Sequence, residues 1–181
     1  MTIGLIENNE LGGSVRTKLN AVIDTANTQT GWGAYTDTQY PSAVSAFTVL
    51  ANTDTPLPNN KGTTIETQKP SDVITFYDGT VITGRNGDSL DMMVYFKAIP
   101  SAINQWLDVW IDIGGTIGER YRQTFNFPKE ADVERGIVYA LSSVYTLGTW
   151  EANGATIYVR SNDDLDIHSI SYNLDRSHKA K

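Results

Sequence analysis

The segment Trp106-Leu107-Asp108-Val109-Trp110-Ile111-Asp112-Ile113 constrains the fold of this chain more than any other. Side chains alternate across an extended strand, so Leu107, Val109, Ile111 and Ile113 form one unbroken aliphatic stripe suited to a core. The opposite face reads Trp106, Asp108, Trp110 and Asp112. Two indoles facing water would leave roughly several hundred Å2 of apolar area exposed, more than an isolated domain readily tolerates. That second face is therefore expected to meet either a neighbouring subunit or a layer covering that sheet.

Runs of the same kind recur beyond Gly31, rich in Val, Ile, Thr, Tyr, Phe and Trp and separated by Gly, Asn, Asp and Pro. They predict strands over 34–40, 46–51, 73–77, 80–83, 89–98, 105–113, 119–127, 133–142, 146–151, 156–160 and 166–175. Within them, Tyr121, Gln123, Phe125 and Phe127 form one stripe, with Arg120, Arg122, Thr124 and Asn126 opposite. Ile170, Tyr172 and Leu174 share a face with Asp166 and His168. So many strands with almost no helix between them predict an antiparallel sandwich. The polar stretch 52–72, with Pro56, Pro58 and Pro70, suits the wide crossing loops of a jelly roll better than the tight turns of a meander.

Only 14–28 has helical periodicity, with Val15, Leu19, Val22, Ile23 and Ala26 at spacings of three and four. Ser14 is the expected N-cap. Val15, Leu19, Val22 and Ala26 follow the four-three-four spacing of a short coiled-coil seam. A helix of this length is marginal alone in water, so it needs its own domain, further copies or a partner. The expected organisation is an anchoring segment over 1–30 and a sandwich over 31–181.

The chain has 181 residues, no cysteine and a formal charge of −7. Thiolate metal sites and cysteine nucleophiles are excluded, and the acidic balance disfavours a nucleic-acid surface. No apolar run is long enough for a membrane span and no signal peptide is legible, so a soluble protein with no membrane partner is expected. His168 and His178 lack the setting of a hydrolase triad, and His178 reads as part of a solvated tail. Asp108 and Asp112, about 13 Å apart along one strand, are too distant for paired-carboxylate hydrolysis. Asp164 and Asp166, roughly 7 Å apart, pass that distance test. Ser161, Asn162, Asp163 and Asp164 read more simply as a turn, with an ion held by Asn162, Asp163, Asp164 and Asp166 left open. The glycines from Gly114 to Gly118 fit a hairpin connection rather than a nucleotide loop. Trp32, Tyr35, Tyr145 and Trp150 are the aromatics that could stack on a sugar, with core or interface packing as the alternative. No enzyme activity, cofactor or metal is expected.

The residues also carry a resemblance. Gly4 to Asp24, with Ser14-Val15-Arg16-Thr17-Lys18-Leu19-Asn20 at its centre, resembles the short helix near the start of tailed-bacteriophage fibre and virion structural proteins. The phrases at 31–40, at 57–60 and at 110–119 resemble a phage domain with a tumour-necrosis-factor-like jelly roll. That resemblance implies a homotrimer packed through aromatic-rich strand faces and held to the virion by its N-terminal segment. Trp106, Trp110, Tyr172 and His168 are the interface residues expected on that reading, and Val15, Leu19, Val22, Ile23 and Ala26 the anchoring ones. The major capsid protein or another virion protein is the expected partner, with assembly in a bacterial cytoplasm. With no extended shaft, a capsid decoration or head-fibre subunit fits better than a long tail fibre. The alternative is a tail-fibre module that recognises host surface glycans.

Overall fold

A computed structural model describes residues 13–129 and 131–180, so the first part of the expected anchoring segment lies outside the described residues. The first described element is α1 (Gly13–Asn27), which places Ser14 inside the helix rather than before it. Ten strands follow: β1 (Gly31–Thr36), β2 (Phe47–Val49), β3 (Thr55–Pro56), β4 (Thr63–Ile65), β5 (Ser89–Pro100), β6 (Gln105–Asp112), β7 (Glu119–Phe127), β8 (Arg135–Tyr145), β9 (Thr156–Ser161) and β10 (Leu165–His178).

They form two antiparallel layers. Sheet A runs β4-β1-β10-β5-β8, with β2 continuing the line of β1 along β10; sheet B runs β3-β9-β6-β7. Counting β1 and β2 as one broken strand and setting the short β4 aside, the chain order becomes 1-8-3-6 in one sheet and 2-7-4-5 in the other. Those interleaved orders are two Greek keys, which define a jelly roll. The expected all-β sandwich preceded by one short helix is therefore the fold of this chain.

Its core lies between the layers, and all four aliphatics of the opening stripe are buried in it. They share it with Val94, Phe96, Ile167 and Tyr172 from sheet A. Transfer of each such side chain out of water is worth about 1.5–3 kcal/mol, so this single strand is a large part of what closes the sandwich.

Several local expectations are corrected. Residues 146–151 are not a strand: Gly148–Asn153 form a short helix, α2, which drops Trp150 into the core, where Nε1 donates to the Ile82 carbonyl at 2.9 Å. Gly154 ends α2 at φ 70°, a left-handed conformation that glycine adopts without strain. The segments 73–77 and 80–83 are not strands but carry isolated bridges, Tyr77 with Ile82 and Ile82 with Ala155. The stretch 52–72 does cross between layers, but it contributes β3 and β4 on the way.

Three bulges re-aim side chains that strict alternation misplaces. Each has two residues opposite one and a non-glycine residue at positive φ: Tyr121 in β7, Ser143 in β8 and Ser169 in β10. In β10 the extra residue changes the phase, so Leu165 and Ile167 share the core with Ile170, Tyr172 and Leu174. Asp166 and His168 thus leave the face assigned to them from the sequence. In β7, Phe127 is buried and Phe125 packs partly against the core, whereas Tyr121 is turned out to half exposure.

Candidate functional site

Helix α1 is the least self-sufficient part of the molecule. Val15, Leu19 and Val22 are 47%, 39% and 65% exposed, and Ala26 is also exposed, so the four-three-four seam faces away from both sheets. Ile23 is half-buried. Among the described residues, none of the helix belongs to the core between the sheets.

What ties the helix to the sandwich is its C-terminal end. The carbonyls beyond the last turn lack helical donors, and the helix dipole makes that end attractive to cations. The last turn has no basic residue of its own, and β10 supplies one. Arg176, 1% exposed, donates through Nη2 to the Thr28 carbonyl and through Nε to the Gln29 carbonyl at 3.3 Å. Its other contacts are carboxylates, Asp72 Oδ1 at 2.5 Å and Asp88 Oδ2 at 3.0 Å. Lys179 Nζ bridges Thr28 Oγ1 at 2.7 Å and Asp72 Oδ2 at 3.0 Å. Partial burial pushes the Asp72 carboxyl up, but the bonds from Arg176 and Lys179 outweigh it and hold the group below the usual aspartate range. A cavity of about 320 Å3 lies beside this cluster, bounded by Asp72, Arg85, Asp88 and Arg176 with Phe76 and Leu90. Its charged groups are already paired with one another.

The expected interface residues do not come together. Trp110 is 3% exposed, because its own chain covers it. Tyr158 stacks on the indole with centroids 5.7 Å apart, and Arg122 lies over the ring at 4.1 Å. The bulge at Tyr121 sets Tyr121 and Arg122 together opposite Trp110. Arg122 is fixed there by Asp108 Oδ2 at 2.6 Å and Glu119 Oε2 at 2.5 Å. Tyr172 lies in the core, where its hydroxyl donates to the Leu57 carbonyl at 2.9 Å. His168 is buried on the other side of sheet A, with Nε2 2.9 Å from Glu134 Oε2 and Nδ1 3.0 Å from Ser169 Oγ. Trp110, Tyr172 and His168 thus offer no free surface to a neighbouring subunit. Trp106 remains half-buried on the outer face of sheet B.

The acidic turn is occupied by the fold. Asp164 Oδ1 accepts from the Ala51 amide at 2.8 Å, Asp166 Oδ1 from Thr48 Oγ1 at 2.6 Å and Asn162 Oδ1 from the Trp106 amide at 2.8 Å. These bonds pin β2 and the start of β6 to the β9–β10 turn. Of the four aromatics considered for sugar stacking, Tyr35 and Trp150 are core residues. Trp32 and Tyr145 are 40% and 65% exposed and line two different cavities.

Sequence reasoning missed Arg176, Asp72, Asp88 and Lys179. The signal was available: Arg176 continues the buried phase of Ile170, Tyr172 and Leu174, and a cation on an apolar phase needs buried partners.

No model of a known protein family matches the chain, and no curated protein matches it. Solved structures do. The Eiger TNF from S. frugiperda aligns over 85% of this chain and 96% of that one at 11% identity, with a TM-score of 0.53. The PRD1 vertex protein P5 aligns over 84% and 74% at 12% identity, with a TM-score of 0.44. The likeness to the Eiger TNF is one of fold, in agreement with the jelly-roll strand order.

Proposed function

We propose that this chain is a non-enzymatic structural subunit of a virion, a trimeric capsid decoration or head-fibre protein attached through its N-terminal segment. The observation that carries the reading is the exposed seam of α1. A single fifteen-residue helix with Val15, Leu19 and Val22 in water is marginal, and parallel copies of itself would bury that seam at the spacing already present. The jelly-roll body then forms the outer knob, and the Arg176 cluster transmits the position of the helix to it. The resemblance of 4–24 to the starts of phage virion proteins supports the same arrangement. A trimer that binds only assembled shells stabilises them by mass action.

The test has two parts. The mass of the full chain in solution is compared with that of a chain starting at Trp32. A trimer that becomes a monomer on truncation is expected, and monomers in both cases overturn the reading. Capsids produced without the protein are then imaged, with loss of outer-shell density expected and unchanged density excluding a capsid location.

A further inference from the structure

The outer face of sheet A carries a groove of about 420 Å3 lined by two carboxylates, an indole and a thioether. Trp32, Asp175 and Asp91 follow one another across β1, β10 and β5 as direct register partners. Met93 and Asn173 are paired one position along, at two residues' distance from the carboxylates, and Ser142 closes the β8 side. Trp32 and Met93 are 40% and 43% exposed.

Two aspartates opposite each other on neighbouring strands repel, which costs stability unless a cation lies between them. Elsewhere in this protein pairs of carboxylates share a cation: Asp72 and Asp88 meet Arg176, and Asp108 and Glu119 meet Arg122, whereas the single buried Asp37 is held by the Tyr40 and Asn60 amides. Among the described residues, Asp91 and Asp175 form no ion pair with a lysine or arginine. Each is instead held in place by backbone, Asp91 Oδ1 by the Ser143 amide of the β8 bulge at 2.6 Å and Asp175 by the Gly31 amide. Burial, followed by the Asp91 charge, pushes the Asp175 carboxyl above the usual aspartate range, as expected for a carboxylate lacking a counter-charge.

We propose that this groove binds an alkylammonium group, whether a free amine or a lysine side chain, with the ammonium between Asp91 and Asp175 and the methylenes against Trp32 and Met93. An indole face attracts a cation through its quadrupole, and the adjoining carboxylates add direct charge. The thioether and methyl of Met93 give the stem an adaptable apolar wall. An anionic ligand is excluded by the same carboxylates. The inference rests on sheet A alone and stands or falls separately from the assembly proposed for α1.

The full chain, labelled at its methionine methyls, is titrated with n-butylammonium, Nα-acetyl-lysine amide, n-butanol and calcium chloride. Both amines are expected to shift the Met93 methyl saturably, and butanol is not. Trp32→Leu and Asp175→Asn should each weaken the amine response at least tenfold while leaving the far-UV spectrum unchanged. Asp175→Asn should also raise the thermal midpoint of the free protein by removing a like charge. A response to only one amine identifies the source of the group, free or side-chain, and supports the site. Equal responses to butanol and butylammonium, no saturation with either amine, calcium saturating the same methyl at lower concentration, or a lowered midpoint in Asp175→Asn would each overturn the proposal.

Discussion

Arg122 and Arg176 are both held by two carboxylates, yet they solve different problems. Arg122 lies on the outside of sheet B, still about a third exposed, and uses its flat guanidinium to roof Trp110 while Asp108 and Glu119 fix it sideways. The hydrogen bonds that Arg122 donates to Glu119 lead, against an opposing desolvation by burial, in pushing Arg122 further toward its charged form. Arg176 sits at the root of α1, almost without water, and must satisfy every donor from Asp72, Asp88 and two backbone carbonyls. A half-exposed guanidinium can cover apolar surface and keep part of its hydration, whereas a buried one is retained only if its whole fork is paired.

That difference predicts a hierarchy of effects. Replacing Arg176 with Met should be the most damaging change, about 3–5 kcal/mol in urea unfolding, because the buried Asp88 keeps only a 3.8 Å contact to Arg85 while Asp72 still has Lys179. A loss below about 1 kcal/mol would mean that the root is wetter than its burial implies. Adding Asp88→Asn to Arg176→Met should recover part of the loss, since the stranded charge is then gone.

Acid should separate the same two regions. Asp72 is depressed in the folded state, so its contribution is fully present above its unfolded pKa and is lost as the pH falls through the lower folded value. Amides of α1 should therefore gain hydrogen exchange below about pH 4 before those of β6 do. Simultaneous loss in both regions would remove the distinction.

Arg122→Ala should cost less, about 1–2 kcal/mol, as a cation–π contact and a partly exposed ion pair are removed. Its sharper signature is optical: Trp110 should become accessible to a neutral quencher. Smallest of all for the fold is Val22→Asp. With Val22 already 65% exposed, the unfolding free energy of the isolated chain should change by less than about 0.5 kcal/mol. The mass in solution should nevertheless fall if copies of α1 pack together.

The long strands and most of the core were legible because binary patterning survives in strands such as β5 and β6. The opening stripe Leu107, Val109, Ile111 and Ile113 lies where alternation puts it. Alternation fails at Tyr121, Ser143 and Ser169, where one extra residue reverses the faces and nothing in the local residue types announces it. Ser169 is why His168 and Ile167 exchanged sides. At 146–151 a β-like composition was overridden by the need to bring Trp150 into the core from a corner. The second face of β6 was correctly marked as needing a cover, but its cover came from the adjacent strands β7 and β9.

The sequence by itself determined that this chain builds an antiparallel sandwich and carries one amphipathic helix, because periodicity is a local property of consecutive residues. Only the tertiary structure decided which polar groups meet. Arg176 and Asp72 are separated by 104 positions, Trp110 and Tyr158 by nearly half that, and Trp32 and Asp175 by most of the chain. Contacts at such separations follow from register, bulge and strand order, which no local window contains.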